Sequence, residues 1–309
     1  MESEEEYIEV TLDENVLKQL GYKLTYKAKG RPNQKTNLSK NGKHVNVLDI
    51  PATYIYKDKN YKITQIGIYD NPDLIADAIF RECRSLRTVI IPNSVTIIGH
   101  RAFDGCKSLT NVTIPDSVIK IGDAAFSGCS PLKNITLPDS VTEIGKYAFC
   151  ECSSLTNMKI PDGVTEIRNG TFSGCSSLTN ITIPDSVIKI GEYAFKKCSS
   201  LKNITIPDGV TEIEDYTFAF CSSLTNITIP DSVIKIGDSA FDGCSSLTNI
   251  TIPNSVIEIG NDAFYECPLK TLIIPDSVTK IDEYAFSNLP HIEYHGTAKG
   301  APWDAWSMN

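Results

Sequence analysis

Ten cysteines are the most reactive side chains of this 309-residue sequence, and nine of them recur with one spacing. The nine stand 23 residues apart, at Cys83, Cys106, Cys129, Cys152, Cys175, Cys198, Cys221, Cys244 and Cys267. A disulfide framework is typical of short secreted domains with small cores. A metal site at the out-of-register Cys150 would need a further ligand such as histidine, which the repeat does not supply. We interpret the column as buried, reduced thiols that pack as small apolar groups.

A second periodic column consists of acidic side chains, each of which directly follows a proline. Its members are Asp116, Asp139, Asp162, Asp185, Asp208, Asp231 and Asp276, with Asn93 and Asn254 at the same position. A stack of carboxylates offers the oxygen ligands that Ca²⁺ prefers, so calcium is one interpretation. We favour the other, which is that Asp and Asn here form turns, because both side chains bond to nearby backbone N–H groups.

Residues for catalysis are sparse. The four histidines, His44, His100, His291 and His295, do not recur in the repeat. No Ser/His/Asp or metal-ligand spacing links them, and no glycine-rich phosphate loop occurs. The sequence therefore predicts no enzyme activity and no cofactor. A formal net charge of -9 argues against nucleic acid, since binding to the phosphate backbone needs clustered Lys and Arg.

The elements that position these columns share the same 23-residue period. Proline recurs at Pro92, Pro115, Pro138, Pro161, Pro184, Pro207, Pro230 and Pro253, and at Pro275 after one deletion. Phenylalanine recurs at Phe80, Phe103, Phe126, Phe149, Phe172, Phe195, Phe218, Phe241, Phe264 and, one residue early, Phe286. Such a period indicates stacked coils, because one coil cannot bury its apolar side chains alone.

One unit, residues 224–246, reads LTNITIPDSVIKIGDSAFDGCSS. Its alternation of polar and apolar residues over 226–229 predicts a strand that ends at Pro230, followed by a turn and a second extended piece over 233–236. Residues 238–244 are predicted to form one helical or 3₁₀ turn. The inward positions are Leu224, Ile227, Ile229, Val233, Ile236 and Phe241. The glycine at 237 is predicted to have ordinary dihedrals, because other units place Arg168, Glu214 or Asp282 there.

The pattern LxxIxIPxSVxxIGxxAFxxCxxL, carried by most of the chain from about residue 47 to 289, resembles the BspA type of leucine-rich repeat. The resemblance implies a β-rich, right-handed leucine-rich repeat solenoid. Parallel strands would form one face, with short 3₁₀ or helical turns and coil opposite. Proteins of this type are associated with attachment to host or neighbouring-cell proteins. The resemblance does not identify a ligand.

Three regions are predicted. Residues 1–46 form an N-terminal cap with a helix at 13–20 and a strand at 22–27. Residues 47–290 form the array of about ten coils, and its first coil is interrupted by a hairpin (54–56 with 61–63) and a loop over 68–76. Residues 291–309 form a C-terminal cap, in which Trp303 and Trp306 cover the last coil. An aromatic ligand site formed by the two tryptophans is the alternative.

The outward strand positions form the predicted partner-binding face. They are Asn111, Thr113, Asn134, Thr136, Asn157, Lys159, Asn180, Thr182, Asn203, Thr205, Asn226, Thr228, Asn249 and Thr251. Their N-x-T sequences are formal glycosylation acceptors, which the strand pattern generates by itself. A further column, Lys120, Glu143, Glu166, Lys189, Glu212, Lys235, Glu258 and Lys280, alternates in sign at most steps. It is expected to form cross-strand ion pairs.

We therefore expect a monomeric, non-catalytic protein-binding or adhesion module that uses the strand face to bind a protein or extracellular-matrix partner. The expected location is the cell surface or the secreted fraction, with no insertion into the membrane. The opening MESEEEYIEV is not a secretory signal, so either a leader was removed or the protein is cytoplasmic. An intracellular interaction scaffold and a structural spacer without a ligand are the alternatives.

Overall fold

The computed structural model describes residues 7–26, 35–67, 78–282, 284–286 and 292–294. The predicted loop over 68–76 and the two tryptophans of the predicted C-terminal cap lie outside the described residues. The chain divides into two compact units, Met1–Ser153 and Ser154–Asn309.

The first unit contains one helix and twelve strands within its described residues. They are β1 (Ile8–Leu12), α1 (Glu14–Gln19), β2 (Tyr22–Tyr26), β3 (Lys35–Lys40), β4 (Lys43–His44), β5 (Val47–Asp49), β6 (Thr53–Tyr56), β7 (Lys59–Ile66), β8 (Thr88–Ile90), β9 (Ile97–Ile98), β10 (Asn111–Thr113), β11 (Lys120–Ile121) and β12 (Glu143–Ile144). Parallel pairing joins β5, β8 and β10 in one sheet and β1, β7, β9, β11 and β12 in another.

The predicted helix and the strand after it are both present near the amino end. Asp13 caps α1, because its Oδ1 accepts a hydrogen bond from the backbone N–H of Val16 at 2.8 Å. Strand β2 follows and pairs antiparallel with β3. Strand β1 pairs parallel with β7, so a segment that carries no repeat extends the sheet of the first unit. This pairing supports the capping role, which stays a prediction.

The hairpin in the first coil is also present. Strands β6 and β7 pair antiparallel around the two-residue turn Lys57-Asp58. Both turn residues are left-handed, with φ of 50° and 59°, as a type I′ turn requires. The rings of Tyr54 and Tyr61 stack across the two strands at 5.1 Å.

The second unit repeats the pairing of the first. Its strands are β13 (Asn157–Lys159), β14 (Glu166–Ile167), β15 (Asn180–Thr182), β16 (Lys189–Ile190), β17 (Asn203–Thr205), β18 (Glu212–Ile213), β19 (Asn226–Thr228), β20 (Lys235–Ile236), β21 (Glu258–Ile259), β22 (Leu272–Ile274), β23 (Lys280–Ile281) and β24 (Ile292–Tyr294). Parallel pairs join β13 with β15, β17 with β19 and β22 with β24, along the outward strands. The second extended pieces pair as β14 with β16 and as the sheet β18-β20-β21-β23.

The core of each unit consists of columns of identical side chains. The six inward positions predicted for residues 224–246 are all buried, which confirms that prediction. In the second unit, successive phenylalanine rings from Phe172 to Phe286 stack nearly parallel, with centroids 5.3 to 5.8 Å apart. Phe80 to Phe149 stack in the same way in the first unit. The coils of each unit therefore share a close-packed interior.

The segment predicted as a helical or 3₁₀ turn differs in detail. Within residues 237–244, three overlapping four-residue turns are closed by the N–H groups of residues 240, 242 and 244. Ser239 and Gly243 are left-handed. The N–H groups of Ser239, Phe241 and Gly243 donate instead to carbonyls of the next coil. A continuous 3₁₀ turn would direct those three N–H groups along the chain, so hydrogen bonding between coils accounts for the difference.

The glycine at the end of the second extended piece has the ordinary dihedrals that the sequence predicts. Gly237 is outside the left-handed region, but a Cβ added there would lie 2.5 Å from Oδ1 and 2.8 Å from the backbone nitrogen of Asp215. The close approach of the previous coil, and not backbone conformation, therefore favours glycine here.

Candidate partner-binding face

The predicted face consists of fourteen side chains, all of which are exposed. Strands β10, β13, β15, β17 and β19 carry ten of them, two on each strand. Each strand directs its central residue inward and its two flanking residues outward, as the alternation of a strand requires. The structure thus brings the predicted residues of each unit together on one surface, although whether they bind a partner remains a prediction.

Two pairs of asparagines on this face are joined by hydrogen bonds between neighbouring coils. The Nδ2 of Asn226 donates to the Oδ1 of Asn203 at 3.0 Å, and Asn180 donates in the same way to Asn157 at 3.1 Å. The Nδ2 of Asn226 also lies 3.2 Å from the hydroxyl of Thr225, which donates to the carbonyl oxygen of Lys202. These asparagines contribute to the stability of the face and hold its orientation.

The outer side chains are chiefly threonines. In the second unit, Lys159 lies opposite Thr182, and Thr205 lies opposite Thr228. These side chains are exposed, and apart from the one lysine they are uncharged. A row of hydroxyl and methyl groups on a fixed backbone can form hydrogen bonds and apolar contacts with a flat partner.

The predicted strand pattern fails in two coils. Residues 134–136 and 249–251 are not in strands, although their Asn and Thr side chains are exposed like the others. Pro131 stands three residues before Asn134, and Pro268 stands in the shortened coil that follows Asn249. Because proline lacks a backbone donor and fixes its own φ, it disturbs the pairing of a nearby strand.

The cysteine column is buried in the core. None of the ten cysteines forms a disulfide, and the nine periodic ones are buried. The Sγ of Cys221, for example, donates to the carbonyl oxygen of Phe195 at 3.2 Å. Burial raises the pKa of the Cys221 thiol to about 12, which disfavours the reactive thiolate. The arrangement is that of packed thiols, as we interpreted from the sequence.

The aspartate column lies at the turns that follow the prolines. The N–H of Val233 donates to the carbonyl of Pro230 at 3.0 Å, which places Asp231 and Ser232 at the centre of a turn. The hydroxyl of Ser232 donates to the carbonyl oxygen of Val210 in the coil before, at 2.6 Å. Within the described residues, no group of three or more His, Cys, Asp or Glu side chains is arranged to hold a metal ion.

Part of the column of alternating charge forms the predicted cross-strand ion pairs, whereas Lys189 lies 3.6 Å from Glu214, which is outside the column. Lys120 lies 3.2 Å from Glu143 in the first unit. In the second unit, Glu258 lies between Lys235, at 4.0 Å, and Lys280, at 2.7 Å. Exposed pairs of this kind contribute little stability each, and they favour the correct register.

An aromatic cluster on the turn side of the second unit is absent from the sequence predictions. The rings of Tyr193 and Tyr216 stack at 5.0 Å, and the Lys196 ammonium lies 4.5 Å from the Tyr216 centroid. The Phe220 ring, which is 40% exposed, lies 5.9 Å from the same ammonium. The sequence did contain a signal for this cluster, because Tyr193 and Tyr216 each stand two residues before the core phenylalanine of consecutive coils.

The repeat geometry agrees with one family of repeats. The family model described as "BspA type Leucine rich repeat region (6 copies)" matches residues 52–179 and 165–293, well over half of the chain. The chain belongs to this family. Its fold is therefore that of a β-rich leucine-rich repeat solenoid. BspA-type repeat proteins are generally non-catalytic and mediate protein interactions. Within the described residues, no helix has the length and apolar character needed to cross a membrane.

Solved structures of bacterial leucine-rich repeat proteins are similar to this BspA-type chain. A leucine rich cell surface protein from Faecalibacterium prausnitzii A2-165 is 31% identical over 91% of this chain and 97% of that one, with a TM-score of 0.49. The T. pallidum leucine rich repeat protein is 25% identical over 74% and 88%, with a TM-score of 0.46. The pneumococcal vaccine antigen PcpA is 22% identical over 88% and 79%, with a TM-score of 0.56, and that similarity is one of fold. No curated protein sequence matches the chain.

Proposed function

We propose that this BspA-type array is a non-catalytic protein-binding or adhesion module. Its exposed strand face would bind a protein or extracellular-matrix partner, with the protein at the cell surface or secreted. The observation that carries this proposal is the outer row of the face. Thr182, Thr205 and Thr228 are exposed and uncharged, and they stand beside asparagines that are already hydrogen-bonded to one another.

The rigidity of the face favours binding. The strands pair in register, and the phenylalanine column behind them is fully buried, so the outward side chains start from a fixed backbone. A preorganised surface loses less conformational freedom on association than a flexible one does. Family membership supports the same proposal, because BspA-type repeats are associated with attachment to other proteins.

A binding screen against immobilised extracellular-matrix and cell-surface proteins tests the proposal. The variant Thr182→Glu/Thr205→Glu/Thr228→Glu places three charges on the strand face. A matched control, Thr165→Glu/Thr211→Glu/Thr279→Glu, makes the same exchange at exposed threonines of the second extended pieces. We expect the face variant to weaken partner binding at least tenfold in surface plasmon resonance, and the control to change it less than twofold.

Two outcomes would contradict the proposal. One is that no protein in the screen binds the native chain. The other is that the face variant and the control bind every partner as tightly as the native chain does, which would favour a structural spacer. Circular dichroism on both variants would establish that they remain folded.

A further inference from the structure

A group of exposed cations lies just before two outward strands of the first unit. Arg84 and Arg87 precede β8, and Lys107 precedes β10 one repeat later. All three side chains are exposed, and among the residues that the structure describes none of them forms an ion pair. These three residues, the basic edge, therefore present charge to solvent without a partner from the described part of the chain.

Arg84 and Lys107 occupy the same position in successive coils. Four successive coils of the second unit have serine there, and the Ser199 hydroxyl donates to the carbonyl oxygen of Ser176 at 3.3 Å. Side chains at this position thus lie side by side, where like charges repel. The column that contains Lys120 and Glu143 mostly alternates in sign and avoids such repulsion. Packing therefore does not account for the two adjacent cations, whereas a bound anion would relieve their repulsion.

The acidic groups of the first unit leave the basic edge available. Residues 1–153 contain 19 basic and 19 acidic side chains, so the formal net charge of -9 lies in residues 154–309. Asp104 is paired with Arg81 at 2.9 Å. Glu82 stands two residues before Arg84, but these two described residues form no ion pair with each other. The net charge of the first unit does not oppose the approach of an anion.

Exposed apolar side chains lie beside the basic edge. Val47 on β5 is 56% exposed, and Ile90 on β8 is 40% exposed. Both lie at outward positions of strands that pair in register, whereas the next strand, β10, has Asn111 and Thr113 at these positions. A surface with cations and apolar groups fits a peptide with acidic and apolar side chains. A polysaccharide or a nucleic acid has no aliphatic side chains to cover Val47 and Ile90.

We propose that the basic edge, together with Val47 and Ile90, binds a short peptide segment of a partner protein that has acidic residues at one end and apolar residues at the other. The carboxylates would pair with the basic edge, because the planar guanidinium group donates two parallel hydrogen bonds to a carboxylate. The apolar side chains would cover Val47 and Ile90. Asp49 lies opposite Ile90 and disfavours carboxylates there. The inference rests on the proposed function, because it names the chemistry of a protein partner.

A probe peptide tests the inference. The sequence Glu-Asp-Glu-Val-Leu-Val is blocked at both ends and carries an uncharged fluorescent label. We expect the native protein to bind it in fluorescence anisotropy, and the variant Arg84→Ser/Arg87→Thr/Lys107→Ser to bind it at least tenfold more weakly. The new residues are those that the repeat has at Ser176 and Thr179, so the variant should be at least as stable as the native protein in urea denaturation.

A matched control removes three positive charges elsewhere. The variant Lys197→Asn/Lys202→Thr/Lys270→Thr replaces exposed lysines of the second unit and should bind the probe within twofold of native. Raising the salt concentration from about 0.05 to 0.5 M should weaken binding to the native protein, because exposed charges are screened. The peptide Lys-Lys-Lys-Val-Leu-Val, with the charge reversed, should not bind.

A second variant isolates the apolar contribution. Val47→Asn/Ile90→Thr introduces the residues that β10 has at these positions, and it should weaken binding of the probe at least threefold. The peptide Glu-Asp-Glu-Ser-Ser-Ser and a heparin fragment provide anionic groups without apolar side chains. Both should bind the native protein more weakly than the probe does. Equal or tighter binding of either one would overturn the inference in favour of a simple polyanion site.

Failure of this inference is distinguishable from failure of the proposed function. It is overturned if the probe does not bind, if the basic-edge variant binds it as tightly as native does, or if that variant loses stability in urea, which would mean that the cations serve the fold. A partner from the screen that responds to the threonine variant but not to the basic-edge variant would overturn this inference alone. If no protein in the screen binds, the proposed function fails whatever the probe does.

Discussion

The Sγ of Cys129 lies 3.2 Å from the carbonyl oxygen of Phe103 in the preceding coil, and both residues are fully buried. The same contact recurs along the column. It joins Cys106 to Phe80, Cys152 to Phe126, Cys198 to Phe172, Cys221 to Phe195, Cys244 to Phe218 and Cys267 to Phe241. Each thiol is a weak donor to a carbonyl oxygen that also accepts a backbone hydrogen bond, as Phe103 does from the N–H of Cys106 at 3.2 Å. The cysteines therefore hold neighbouring coils together as neutral thiols.

The first prediction concerns alkaline pH. Burial raises the pKa of Cys221 to about 12 and that of Cys129 well above its ordinary value of 9.0. Above about pH 9, the unfolded chain loses these protons and the folded protein keeps them, so the unfolded state is favoured. The free energy of unfolding should fall as the pH rises from 9 toward 11. Urea denaturation at a series of pH values measures this slope.

A variant separates the thiols from the lysines and tyrosines that also titrate in this range. Cys129→Ala/Cys221→Ala should be less stable at pH 8, and its stability should fall less steeply above pH 9. An equal slope in the native protein and the variant would contradict the prediction.

The second prediction concerns the phenylalanine column. The Phe195 ring stacks between Phe172 and Phe218 at 5.7 and 5.6 Å and is fully buried. Phe195→Ala should lower the free energy of unfolding by about 3–5 kcal/mol, because it leaves a cavity between two coils. Chemical denaturation measures the loss. Phe220→Ala, the same exchange at an exposed ring, should cost less than about 1 kcal/mol. Equal losses would contradict the packing argument.

The sequence predicts the columns well because they depend on burial alone. With one period of 23 residues, Phe195 must lie beside Phe218, and the alternation around Ile204 must direct Asn203 and Thr205 outward. The fold class, the buried cysteines and the exposure of the face all follow from this alternation. Only the polarity and the size of each side chain are needed for these predictions.

Residue type alone does not determine which residues adopt the left-handed backbone conformation. Arg101, Tyr147 and Tyr216 have φ between 53° and 56°, at a position where Gly170 is the one glycine. Hydrogen bonds from alternate N–H groups to the next coil impose this conformation. Such bonds cannot be predicted from the conformational preferences of single residues. The loss of the strand at 249–251 was also not predicted, although Pro268 in the following coil was a signal for it.

The third prediction concerns the close approach at Gly237. A Cβ at this position would lie 2.5 Å from the Oδ1 of Asp215, which accepts a hydrogen bond from the N–H of Asp238 at 2.8 Å. Gly237→Ala should therefore separate two coils locally and cost about 1–3 kcal/mol. Thermal and urea denaturation measure the cost. Gly209→Ala is the matched control, because its Cβ would approach the movable Ile188 side chain, at 3.1 Å. A smaller loss for Gly237→Ala than for Gly209→Ala would contradict the argument.

The fourth prediction is a stabilising change at Gly209. This residue occupies the turn position at which Ser186 and Ser232 donate to the carbonyl oxygens of Val164 and Val210, at 2.8 and 2.6 Å. The carbonyl oxygen of Val187 would lie 3.4 Å from an added Cβ, so a serine hydroxyl at 209 can reach it. Gly209 is also outside the left-handed region, so serine adopts its backbone conformation without strain.

Gly209→Ser should therefore raise the free energy of unfolding by about 0.5–1 kcal/mol. The new hydrogen bond stabilises the folded state, and the loss of glycine reduces the freedom of the unfolded chain. Gly209→Ala separates the two contributions, because it changes the unfolded chain in the same way and adds no donor. Serine should be more stabilising than alanine in parallel urea titrations. If alanine equals or exceeds serine, the hydroxyls of this column do not stabilise the contact between coils.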